Sequence, residues 1–194
     1  MISYESLRHK MKTGDTIAFS DDSVVSKIIR EATGSRYSHV GLVVRSEIKG
    51  FGDSVLLAES HAWAEGEDVI HREMVRGLQI HFLSDRIQGH KGDICWVPLI
   101  QAIPEELRLK AMAWLREKHK KRTRYDFSQA MGAGIDVWEK RFGNQPDFTK
   151  LFCSEMNSKF LQIAEMILSG INPSEQTPED VVKFPCMLLP VKIK

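Results

Sequence analysis

The chain has 194 residues, with 27 Lys and Arg against 26 Asp and Glu, and is 42% hydrophobic and 27% charged. These values lie near the globular averages of about 45–50% and about 25%, which excludes a disordered or fibrous chain and argues against a surface coated with basic charge for nucleic acid. A chain of this length buries roughly 70% of its unfolded surface and needs no disulfide or metal staple, so one domain over residues 1–194 is expected.

The amino-terminal MISYESLRHKMKTGD has no apolar core of signal-peptide type, and no apolar run reaches the ~20 residues of a membrane span. Cys95, Cys153 and Cys186 are too few for a disulfide framework and too scattered for a paired metal half-site. The expectation is a reduced, cytoplasmic protein with no membrane span.

Taken in chain order, DTIAFS at 15–20 predicts a strand. Asp21 and Asp22 then cap a helix whose apolar positions Val24, Val25, Ile28, Ile29 and Ala32 recur at helical spacing until Gly34. HVGLVVR at 39–45 and SVLLAES at 54–60 predict a hairpin around Gly50 and Gly52. LQIHF at 78–82 and DICWVPL at 93–99 add two strands. Pro104 opens a helix with Glu105 and Glu106 in its first turn and Leu107, Ala111, Trp114 and Leu115 on one face. A second long helix is predicted over 150–168 from Phe152, Met156, Phe160, Ile163 and Ile167, and the tail INPSEQTPEDVVKFP is expected to cross the surface. Consecutive strands between helices make this an α+β chain with an antiparallel sheet packed against helices.

In the 39–45/54–60 hairpin, a register in which paired numbers sum to 98 sets His39 opposite Glu59. Opposed side chains have Cβ atoms roughly 4.5–5.5 Å apart, which suits a carboxylate holding an imidazole nitrogen. Cys153 stands near the start of the 150–168 helix, where the partial positive charge of a helix amino terminus favours thiolate. Together these residues would form an activated-thiol site: Cys153 attacking a carbonyl, His39 moving protons, Glu59 orienting the ring. Each has a plainer reading, since cysteines are commonly small buried hydrophobes and a lone His or Glu more often serves structure.

GDTIAFS, SKIIREATGSRYSHVGLVV, LLAES, RYDF, LFCSEM and TPEDV, in this order, resemble the circularly permuted papain-like cysteine hydrolases of the NlpC superfamily, especially the YiiX/YebB-like type. The likeness runs from about Thr13 to Phe184, and the His strand precedes the Cys helix as in the permuted family. It implies a permuted papain-like fold, Cys153 as nucleophile, His39 as base and then acid, and Glu59 as the orienting residue. It further implies an oxyanion contact at Tyr37, assisted by a backbone N–H at the helix start, and a pocket-lining or structural role for Tyr125 and Asp126. Ser154 and Glu155 belong to the same motif and are expected to make buried polar contacts.

The substrate implied is a small-molecule, peptide or lipid-like acyl compound, with cell-wall peptide amides foremost. An acyltransferase of the lecithin retinol acyltransferase type, or a binding module without turnover, are the alternatives. His61 is the rival of Glu59 for the third position. His61, His71 and His81 recur every ten residues, matching no helix or strand ligand spacing, and HExxH is absent, so no metal site and no cofactor are predicted. The segment 61–76, with Trp63 and Arg76, is expected to form one wall of the pocket. REKHKKRTR at 116–124 reads as a solvated basic helix end, with an anionic polymer, lipid headgroup or nucleic-acid patch as the alternative. Cys95 and Cys186 are read as packing residues.

Overall fold

A computed structural model describes residues 3–45, 50–61, 66–121 and 151–194. The backbone forms α1 (Tyr4–Leu7), β1 (Thr16–Asp21), α2 (Val24–Thr33), β2 (His39–Arg45), β3 (Val55–His61), β4 (Glu67–Asp68), β5 (Glu73–Met74) and β6 (Gly77–Phe82). There follow α3 (Leu83–Gly89), β7 (Gly92–Val97), α4 (Glu105–Lys120), α5 (Leu151–Ile163), α6 (Pro178–Val182) and β8 (Val191–Lys192). The larger sheet has the order β6-β3-β2-β1-β7-β8, every pair antiparallel; β4 and β5 form a separate ribbon. The chain is therefore α+β, as its strand and helix order implies.

Period-two alternation divides the sheet into two dissimilar faces. Val40, Leu42, Val44, Leu56, Ala58, Leu78 and Ile80 point to α4 and α5 and pack with Met112, Leu115, Met156 and Phe160. Ile17, Phe19, Val43, Val55 and Leu57 point the other way, to Tyr4, Leu7 and Leu83. Both faces are apolar because both are covered, which explains why β2 and β3 read as continuous apolar runs.

The helix boundaries have local causes. Ser23, rather than the predicted Asp21 or Asp22, caps α2 by accepting from the Ser26 N–H, while Asp21 accepts from the Ser23 N–H at 2.8 Å. Gly34 ends α2 in the left-handed region at φ 62°. α5 stops at Ile163, short of the predicted 168, and Glu165 turns into the left-handed region at φ 56°. Ile167 is nevertheless buried, since the chain folds back onto the same core. The tail differs most from expectation. Thr177 and Asp180 form a reciprocal capping box that starts α6, and Val181, Val182 and Phe184 join the core instead of crossing the surface. Among the described residues no helix is long and apolar enough to cross a membrane.

Candidate active site

β2 and β3 pair two residues away from the register expected of them. Leu42 faces Ala58 and Val43 faces Leu57, so paired numbers add to 100 rather than 98. The turn consequently centres on Gly50, whose φ of 97° is a conformation glycine adopts without a Cβ penalty. A shift of two preserves the side-chain face, so Glu59 still points to the side of His39 although it lies diagonal to it. The space for that diagonal comes from Gly41, where a Cβ would stand 3.1 Å from Glu59 Cγ and 2.8 Å from Leu57 Cδ1. Gly41→Ala is expected to lower stability by about 1–3 kcal/mol in urea denaturation, through overpacking against these two side chains.

Glu59, fully buried, is the centre of the cluster. Its Oε2 accepts from His39 Nε2 at 2.8 Å and from His61 Nε2 at 3.2 Å. Arg86, on α3, donates from Nε to Oε1 at 2.6 Å and from Nη2 to Oε2 at 3.1 Å. Phe19, opposite His39 on β1, packs against the imidazole at 5.5 Å and beneath the Arg86 guanidinium at 5.6 Å.

The charge state follows from these contacts. Burial pushes the Glu59 carboxyl up, but the Arg86 guanidinium and the two imidazole hydrogen bonds overcome it and hold the group well below the usual carboxylate range. Burial and then the neighbouring His61 depress His39 to about 4, against the pull of Glu59. At neutral pH Glu59 is an anion, Arg86 its counter-ion, and His39 a neutral imidazole. Because an ionised carboxylate only accepts, His39 carries its proton on Nε2 and a lone pair on Nδ1. That Nδ1 is buried and has no hydrogen-bond partner among the described residues.

His39, His61 and Arg86 border a cavity of about 70 Å³, completed by Phe19, Asp21, Ser38 and His90. This is room for about two waters at ~30 Å³ each. His39, Glu59 and His61 also offer three ligand atoms within 4.8 Å of one another. The Arg86 guanidinium, bonded to both oxygens of Glu59, opposes a cation there.

Cys153 takes a different place. It is fully buried on α5 with Val40, Leu42 and Met156, on the sheet face opposite His39 and Glu59, and its thiol does not reach His39 Nδ1. Tyr37 lies in that same apolar cluster, and burial pushes its hydroxyl up to about 12. The structure thus brings His39, Glu59 and His61 together and leaves Cys153 and Tyr37 on the far side. Ser154 donates to the Gln176 carbonyl at 2.6 Å, the buried polar contact expected of it, and burial pushes the Glu155 carboxyl up. Tyr125, Asp126 and Trp63 lie outside the described residues, Arg76 is exposed, and Cys95 and Cys186 are half-buried. Within the basic run, residues 116–121 close α4, with Arg116, Lys120 and Lys121 exposed and His119 buried; 122–124 lie outside the described residues.

Sequence reasoning missed Arg86, Phe19 and His90. One signal for Arg86 was present: a Glu on a strand buried on both faces demands a cation, since ionised side chains are almost never fully buried unpaired.

No family model matches the chain, and no curated protein does. Among solved structures it is similar to the crystal structure of the metalloprotein yiiX from Escherichia coli O157:H7. The two are 18% identical, 93% of this chain and 96% of that one are covered, and the TM-score is 0.47. The functional reading accordingly rests on the residues of the site.

Proposed function

We propose that the protein is a hydrolase of an amide, ester or thioester bond in which the His39–Glu59 pair moves the proton. The observation that carries this reading is the 2.8 Å bond from His39 Nε2 to an ionised, Arg-paired Glu59, which leaves the Nδ1 lone pair buried and unpartnered. A neutral imidazole locked in one tautomer by a carboxylate is the arrangement that general-base catalysis requires. His39 Nδ1 takes the proton of the nucleophile as it attacks the carbonyl. Glu59 stabilises the imidazolium so formed, and the proton then passes to the leaving group.

The permuted papain-like resemblance assigns the nucleophile to Cys153 and makes the intermediate an acyl-enzyme, with cell-wall peptide amides as the leading substrate class. A second reading has a specific observation behind it: Cys153 stands on the opposite sheet face, whereas the cavity beside His39 has room for water. In that case water adds directly and no acyl-enzyme forms.

The test is a panel of chromogenic esters, thioesters and peptide amides, with Cys153→Ala and His39→Ala compared against the unmodified chain. His39→Ala is expected to lower kcat/KM by about 10²–10⁴-fold under either reading. The thiol reading requires loss of turnover in Cys153→Ala, an acyl adduct on Cys153 by mass spectrometry, and iodoacetamide labelling of Cys153 that His39→Ala suppresses. Retained turnover in Cys153→Ala selects water. Full turnover in His39→Ala, or none by the unmodified chain with any substrate, overturns the proposal. Capture of a labelled acyl group by an added amine or lipid would make the protein a transferase.

A further inference from the structure

A second cluster of histidines and a buried carboxylate lies on the α4 side of the sheet. Asp68 ends β4, His71 lies in the turn that follows, and His119 is in the last turn of α4. Asp68 is fully buried, His119 nearly so, and His71 half-buried. His119 Nε2 donates to Asp68 Oδ2 at 2.8 Å, and the two imidazoles stack at 4.3 Å with an interplanar angle of 29°. His71 Nε2 reaches the His119 carbonyl at 3.3 Å. The three side chains offer ligand atoms all within 4.8 Å of one another.

We infer that Asp68, His71 and His119 bind a divalent first-row transition ion of the zinc type. Two imidazoles and a carboxylate form a three-ligand set that leaves a fourth position open. The carboxylate is already held in place: the Ile70 and His71 N–H groups donate to Asp68 Oδ1 and the Ile80 N–H to Oδ2, at 2.7–2.8 Å. The direct partners of Asp68 leave its charge available to a cation, although Lys118 and Lys120 flank His119 in the last turn of α4. Among the described residues no guanidinium or ammonium pairs with Asp68, in contrast to Arg86 on Glu59, and the C-terminal end of α4 adds its negative partial charge.

The structural adjustment is small. Tetrahedral ligands at ~2.0–2.1 Å lie about 3.3 Å apart, so the Asp68–His119 contact opens by roughly 0.5 Å and His71 turns from the carbonyl to the ion. The Nε2 proton of His119 departs and Nδ1 takes one up, leaving a neutral imidazole ligand. His71, half-buried, is the most solvent-accessible of the three ligands.

The experiment uses the full chain freed of metal with a chelator and titrated with Co²⁺ and then Zn²⁺. One equivalent of Co²⁺ should produce the visible absorption of a tetrahedral site, and Zn²⁺ should displace it. His71→Ala and Asp68→Asn should each weaken binding at least ~10-fold. His61→Ala should leave affinity unchanged. Because His71 is half-buried, His71→Ala should keep the native circular dichroism, and a given Zn²⁺ concentration should raise the Tm of the unmodified chain more than that of this variant. Absence of saturable binding, binding unmoved by His71→Ala, or binding lost in His61→Ala would each overturn the inference.

Discussion

Arg86→Met should destabilise the protein by about 3–5 kcal/mol, because it strands a fully buried carboxylate. Arg86 supplies two of the four side-chain hydrogen bonds that Glu59 accepts from His39, His61 and Arg86, and its guanidinium is permanently charged. Two imidazole N–H dipoles cannot replace a guanidinium at 2.6 Å. The companion variant Glu59→Gln/Arg86→Met, which removes both charges, should recover a large part of the loss. Guanidinium denaturation of the two single variants and the double variant measures the coupling directly. A cost below about 1 kcal/mol for Arg86→Met, of the order found for exposed ion pairs, would show that Glu59 is not held as described.

Acid should destabilise the protein in two steps of the same sign. His39 titrates at about 4 in the folded protein against an unfolded value of about 6.5, so between those limits the unfolded chain binds a proton that the native state refuses. Stability therefore falls by about 1.4 kcal/mol per pH unit as pH drops through this window, for a total of about 3 kcal/mol. Glu59 has a depressed folded pKa; its contribution is present above the unfolded value of about 4.3 and is lost as pH falls further. Burial depresses His81 as well, so the net slope of the unmodified chain includes both histidines. The difference between the unmodified chain and His39→Gln, followed by urea denaturation from pH 7.5 to 4, isolates the His39 share. Parallel curves would refute a neutral buried His39.

Much of the sheet was legible from residue pattern alone. HVGLVVR occupies β2 with the limits its β-branched run implies, and the other four long strands fall within about two residues of expectation. Apolar continuity is a strong signal where a strand is covered on both faces. The same continuity hides which face is which: the hairpin pattern sets His39 near Glu59, but it does not report on which face of the sheet Cys153 falls. A helix start supplies a Cys with a favourable field, but the rotation of α5 about its axis decides whether the thiol meets a neighbouring strand's inward or outward side chains. That rotation is fixed by Met156, Phe160 and Leu161 seating on β2 and β3, a tertiary contact that helical spacing does not report. α3 escaped notice for a related reason: Leu83–Gly89 is seven residues long, with two charges and one buried apolar side chain, and its stability comes from docking. The Asp68–His71–His119 cluster was invisible because its members come from a short ribbon and from the far end of α4.

The order of the strands divides the site between central and peripheral elements. β1 and β2 are the two central strands of six, so Phe19 and His39 sit where the backbone is released last, in global unfolding. Arg86 stands on a separate seven-residue helix that packs on β3 and β6 of the same sheet. The proton acceptor thus sits on a central strand, and the cation that keeps its carboxylate ionised on a different, shorter element. Detachment of α3 would alter the protonation of the cluster while the sheet beneath remains intact.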